Sequence, residues 1–368
     1  MPELIELSHR IYENPELNFE EVKAAGWCTD WLEQAGFKVE RGIADLPTAF
    51  RATYGSGPLR VGIEAEYDAL PDVGHACGHN IIATAALGAA VGLAAVADDA
   101  GVTVVVLGTP AEEGGGGKIF MVEKGVFDDV DCALMIHPGP MDTLAPEALA
   151  AQSMDITYTG VPSHAGGAPE LGVNAADALV IAQVAMGLLR QHLLESDRVH
   201  GIVTRGGEAV NIIPALATAQ WMIRATTAAR LDELRAKVLR CFEAGALATG
   251  AKLEVKEYPV YADIRHDRDL VALYEKNAEA LGRRFDTPST FSRFSTDQGN
   301  VSYVTPSIHP MLSINCLPAV NHQPEFAAAT ITADGDKTIL DGALSMAWTA
   351  IDAATNEGVR ARLLTSTD

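Results

Sequence analysis

The sequence is short of cysteine and of positive charge, and it has no long apolar run. Five cysteines, Cys28, Cys77, Cys132, Cys241 and Cys316, are odd in number and widely scattered over 368 residues. That pattern excludes a disulfide framework and fits reduced thiols. Lys and Arg together number 27 against 49 Asp and Glu, for a formal net charge of -22. Such an excess repels polyanions, so neither nucleic acid nor an anionic membrane is an expected partner. No uninterrupted apolar stretch approaches the roughly 20 residues that span a bilayer. The opening "MPELIELSHR" has neither the basic stretch nor the apolar segment of a secretion signal, and a cytoplasmic location is expected.

What is present is enough apolar material for a sizeable core, 48% of residues, in a length that suggests two domains. Up to about residue 150, helical and continuous apolar strand patterns alternate. "RVGIEAEY", "GVTVVVLGTP" and "VDCALMIHPG" read as strands, and "IIATAALGAAVGLAAVAD" as an apolar helix. This alternation predicts an α/β fold, a mostly parallel sheet covered by helices. The pattern then changes: "SMDITYTG", "HGIVTRGG", "ATAQWMIRATT" and "AKLEVKEYPV" read as strands around two long helices. An inserted α+β domain of ferredoxin-like pattern over 152–261 is expected, with 1–151 and 262–368 forming the body.

The run Gly114 to Gly117 followed by Lys118 invites a phosphate-loop reading. It fails, because Glu112 stands where the loop needs its first glycine, Ile119 follows the lysine, and Glu112 and Glu113 would repel phosphate. The same carboxylates suit a cation. They sit where one predicted strand ends, the edge at which open α/β sheets bind ligands. His137 ends the next strand, Cys77 and His79 follow the preceding one, and His322 in "AVNHQPEF" is a fourth candidate. Adjacent glutamates can divide the labour, one binding metal while the other takes a proton from water. A Cys/His/Glu set accepts Zn2+, Mn2+, Co2+ or Ni2+. A cysteine hydrolase with Cys77 as nucleophile and His79 as base is an alternative, but it leaves Glu112, Glu113, His137 and His322 without a task.

In order along the chain, "EYDALPDVGHACGHN", "GTPAEEGGGG", "MIHPGP", "GVPSHAGGAPELGVNAADAL", "VNIIP", "FSTDQGNVSYVTP" and "NHQPEF" resemble the successive motifs of the M20 metallopeptidases. The resemblance spans essentially the whole chain and is nearest to the amidohydrolase branch. Glu66 and Asn80, where many members of that branch carry aspartate, point to its dipeptidase-like and aminobenzoyl-glutamate hydrolase-like subgroup.

The resemblance implies a hydrolase using two divalent metal ions, with the inserted domain as a lid through which the chain forms a homodimer. Cys77, His79, Glu113, His137 and His322 match the metal ligands, and Asp68 matches the carboxylate that orients a histidine ligand. Glu112 matches the general base that deprotonates a metal-activated water and then protonates the leaving amine. His164, in "PSHAGG", matches a residue that stabilises the tetrahedral oxyanion, commonly across a dimer interface. Asn211 matches a residue lining the substrate region, and Thr296 and Asp297 are expected to shape the pocket floor. The expected substrate is a small molecule with an amide bond, an N-acyl or aminoacyl amino acid such as a dipeptide or an aminobenzoyl-glutamate. Arg205, Arg224 and Arg265 are candidates for holding its carboxylate. A non-catalytic ligand-binding relative is the second alternative; such a chain is expected to have lost the base or a ligand, and none is missing here.

Overall fold

The computed structural model describes residues 2–285 and 294–365. Contacts divide the chain into two units, one made of Met1–Glu147 with Ile264–Asp368 and the other of Ala148–Asp263. The first unit lays down β1 (Lys38–Arg41), β2 (Phe50–Tyr54), β3 (Leu59–Ala65), β4 (Val102–Gly108), β5 (Cys132–Leu134) and β6 (His137–Gly139). The second contributes β7 (Ala150–Thr159), β8 (Arg198–Arg205), β9 (Leu216–Ala225) and β10 (Lys252–Glu257), after which the chain returns for β11 (Ser307–Ile308) and β12 (Met311–Ser313).

The main sheet of the first unit runs β1-β2-β4-β3-β5-β11. β4, β3, β5 and β11 are parallel, and β2 and β1 extend one edge antiparallel. β4 is buried along its whole length and β3 at all but one position, as a sheet covered on both faces requires. The helix His79–Ala94 joins these two strands. It is apolar around most of its circumference and buries twelve of its sixteen residues. Its small side chains allow close approach: a Cβ on Gly88 would come within 2.9 Å of the Ala343 Cβ on the helix Ala333–Thr355.

The segment "VDCALMIHPG", expected as one strand, is two. β5 stays in the main sheet, whereas β6 pairs in parallel with β12 in a small separate sheet. The break falls opposite His309 and Pro310. The Pro310 carbonyl accepts from His137 N at 2.9 Å, but proline has no N–H to return to the ladder. This interruption frees His137 from the main sheet at the position that matters for the site.

The second unit has the order strand, helix Ala175–Leu189, two strands, helix Ala228–Thr249, strand. Its antiparallel sheet runs β10-β7-β9-β8, the ferredoxin-like succession. Ile156, Tyr158, Ala182, Met186, Trp221 and Phe242 join sheet and helices in one core. Among the described residues, no helix is long and apolar enough to cross a membrane.

Candidate metal centre

The segments that follow β3, β4 and β5, with the loop that carries His322, deliver the donors. After β3 the chain passes Asp68 and turns through Cys77 and Gly78 into His79, the first residue of its helix. Gly78 has φ +83°, and a Cβ there would meet the Pro138 ring at 2.4 Å; only glycine fits this close, left-handed turn. After β4, Ala111 leads to Glu112 and Glu113, while His137 opens β6. His322, at φ +71°, is held by its N–H donating to the Ala76 carbonyl at 2.8 Å.

The expected ligands converge. Cys77 Sγ lies 3.5 Å from His137 Nε2 and 3.8 Å from His322 Nε2. His322 Nε2 is 3.6 Å from Glu113 Oε2, and His79 Nε2 is 3.8 Å from Glu113 Oε1. The donor atoms form groups, Cys77/His79/His137 and Cys77/Glu113/His322, with all atoms in each group within 4.8 Å of one another. Cys77 is common to both.

Hydrogen bonds set the tautomers. Asp68 Oδ1 accepts from His79 Nδ1 at 3.0 Å, and the Pro138 carbonyl accepts from His137 Nδ1 at 2.7 Å. Each ring therefore turns its Nε2 to the cluster. Burial opposes a charge on His79, but Asp68 and Glu66 hold its pKa well above the ordinary value, so this ring gives up its Nε2 proton when it ligates. The other Asp68 oxygen accepts the Glu113 amide hydrogen at 3.0 Å, so one carboxylate positions two expected ligands. Burial opposes the Asp68 charge, but His79, this amide and Lys118 hold its pKa below the ordinary value.

The electrostatics fit a cation. Burial pushes the Cys77 thiol well above its ordinary pKa and Glu113 adds to this; a divalent ion reverses that balance. Burial, with Glu66, Glu113 and Asp297, likewise raises Glu112. Burial and the neighbouring His79 lower His137 to about 4, leaving it neutral and able to ligate. His79 Nε2 and Glu113 Oε1 are buried without a hydrogen-bond partner among the described residues. Buried polar atoms without a partner are costly unless a ligand such as an ion takes them.

The remaining candidates are distributed. His164 and Asn211 lie in the second unit, where the Ala165 amide donates to the Asn211 carbonyl at 2.9 Å and His164 Nδ1 accepts the Gly166 N–H at 3.1 Å. Thr296 is buried and its hydroxyl accepts the Gln298 N–H at 3.2 Å. Asp297, expected at the pocket floor, is fully buried with both carboxylate oxygens on Lys118, so its side chain is directed to that lysine. Arg205 pairs with Glu208, and Arg265 stacks 3.5 Å over the Tyr303 ring. Two participants escaped sequence reasoning. Glu66 and Lys118, both fully buried, meet beside the cluster; the trace in the sequence is the alternation Glu64, Glu66, Asp68, acids at every second position where the apolar strand β3 ends.

A parallel-sheet body presenting thiol, imidazole and paired carboxylates at one edge is an arrangement that can hold divalent ions, the class of metal-binding proteins. Comparison with known proteins narrows it. The profile of peptidase family M20/M25/M40 matches residues 62–333. The chain is 39% identical to the Xaa-Arg dipeptidase of Mus musculus, over 96% of this chain and 87% of that protein. It is 34% identical to a p-aminobenzoyl-glutamate hydrolase polypeptide of Escherichia coli, over 68% of this chain and 56% of that protein. In fold it is similar to the Bacillus subtilis YXEP protein, described as a dinuclear metal binding peptidase from the M20 family, with TM-score 0.72 and 21% identity over 95% and 97% of the two chains. The chain belongs to peptidase family M20/M25/M40, and it is a hydrolase, as the motifs implied.

Proposed function

We propose that the protein holds two divalent ions through Cys77, His79, Glu113, His137 and His322 and hydrolyses the amide bond of a dipeptide. The observation that carries this reading is the place of Cys77 in both donor groups, its sulfur 3.5 Å from His137 Nε2 and 3.8 Å from His322 Nε2. Zn2+, Mn2+, Co2+ and Ni2+ all suit such a set. When bound, the ions supply Lewis acidity, polarising the amide carbonyl and lowering the pKa of water.

The chain's own groups do the rest. Glu112, next to Glu113 and raised in pKa by burial, takes the proton from the attacking water and passes it to the leaving nitrogen. Asp68 keeps His79 and Glu113 in place. His164 accepts at Nδ1, so the proton of its neutral ring sits on Nε2, a donor suited to the developing oxyanion. Asn211 is assigned to the substrate region and Thr296 and Asp297 to its floor, Asp297 acting through its hold on Lys118. A dipeptide is favoured over aminobenzoyl-glutamate because similarity to the Xaa-Arg dipeptidase runs along nearly the whole chain.

A homodimer through the second unit is supported by an uncovered apolar surface. Val180, Val184 and Leu188 follow one another on a helix face at 55%, 59% and 69% exposure, and Ile202 and Val203 are exposed on β8, which ends the sheet order. Open edges and apolar helix faces of this kind pair with a copy of themselves. The acidic surface and free cysteines suit a cytoplasmic setting. The test is an activity screen over Xaa-Arg dipeptides, other dipeptides, N-acyl amino acids and aminobenzoyl-glutamate, before and after chelation and with each metal restored. Full activity after chelation contradicts the reading.

A further inference from the structure

Glu66 has no task in the site described so far, yet it is a buried carboxylate directly beside it. It directly follows β3 and is fully buried. Its Oε1 accepts from the Lys118 ammonium. Lys118 is itself fully buried and doubly held: its ammonium donates to Asp297 Oδ1 at 2.7 Å and its backbone N–H to Asp297 Oδ2 at 2.9 Å. Fixed at one oxygen, Glu66 turns the other, Oε2, to His79 Nε2 at 3.4 Å. Neither Oε2 nor Nε2 makes a hydrogen bond among the described residues.

With His79 Nδ1 donating to Asp68, Nε2 and Glu66 Oε2 face each other in a dry interior without hydrogen-bond geometry. A carboxylate oxygen and a ring nitrogen so placed need positive charge between them, and a divalent ion bound there supplies it. Glu112, assigned to proton transfer, also has a carboxylate oxygen within 4.8 Å of both.

We infer that Glu66 is a further carboxylate donor to the divalent ion that His79 holds, with Lys118 and Asp297 as the clamp that positions it. The inference rests on the two-ion reading above, and its test keeps the two apart. Metal-free full-length protein is titrated with Co2+ by calorimetry and absorption, as wild type, Glu66→Gln and Glu66→Asp. The wild type is expected to take two equivalents and to develop the cobalt–thiolate absorption of Cys77. Glu66→Gln keeps the contact with Lys118 and the thiolate absorption, but its affinity for one equivalent falls by at least about tenfold, the lower end of what loss of even an outer-sphere partner causes. Glu66→Asp retains the ion pair with Lys118, withdraws the free oxygen, and weakens the same equivalent while melting as the wild type does. Two equivalents at wild-type affinity in both variants overturn the assignment of Glu66. Absence of the thiolate absorption in the wild type contradicts the two-ion reading instead.

Discussion

Glu21 Oε1 accepts the Ala111 amide hydrogen at 2.9 Å, across ninety positions of sequence. Ala111 has φ +61°, a left-handed conformation that costs an alanine roughly 1–2 kcal/mol. The same carboxylate accepts the Phe19 N–H at 2.9 Å and the Thr48 hydroxyl at 2.8 Å. Glu21 thus anchors the turn that presents Glu112 and Glu113, without touching either expected metal or substrate.

That anchor titrates near neutrality. Burial, opposed by its hydrogen bonds, raises the Glu21 pKa from 4.5 to about 7. Between these two values the native state binds the proton that the unfolded chain has released, so stability falls as pH rises from about 4.5 to about 7 and levels off above. The decline is on the order of 3 kcal/mol. Glu21→Gln keeps an acceptor for Ala111 and loses the decline. Urea unfolding of both proteins at pH 5 and pH 8 checks this; parallel pH dependences contradict it.

Asp68 holds His79 Nδ1 and the Glu113 amide, each at 3.0 Å. Asp68→Ala removes both restraints, and affinity for divalent ions is expected to fall about 10- to 100-fold. Competition with a graded series of chelators measures it, and unchanged affinity rules out the positioning role.

Glu112 is assigned to proton transfer and not to ligation by the five expected groups. Glu112→Gln is expected to retain the Cys77 cobalt–thiolate absorption while kcat drops about 100- to 10,000-fold. Calorimetry and steady-state kinetics on one preparation separate the two effects. Near-normal turnover in this variant removes Glu112 from the mechanism.

The face of Val180, Val184 and Leu188 predicts self-association. Val184→Glu places a charge in that apolar stripe and is expected to give monomers where the wild type gives dimers, read by light scattering after size exclusion. Identical masses exclude this face as the interface.

The alternation of apolar runs and helices made the α/β body legible, and the strand ends carrying Cys77, Glu113 and His137 were legible with it. Three features were not. The break between β5 and β6 depends on Pro310, which lies far along the chain and opposite the break only once the strands pair. The helix Ala333–Thr355 buries Gly335, Thr338, Asp341, Ser345 and Thr349 among its apolar residues, so no clean amphipathic stripe marks it. Glu66 and Lys118 are hidden for a related reason: a charged residue reads as surface until a partner is known, and here the partner, Asp297, stands 179 positions from Lys118.

The central claim is that two ions flank one sulfur. Anomalous diffraction from crystals of the zinc-loaded protein tests it most directly. Two zinc peaks are expected, both within bonding distance of Cys77 Sγ, one toward His79 and His137 and the other toward Glu113 and His322. An active, zinc-containing crystal with no peak at Cys77 contradicts the account.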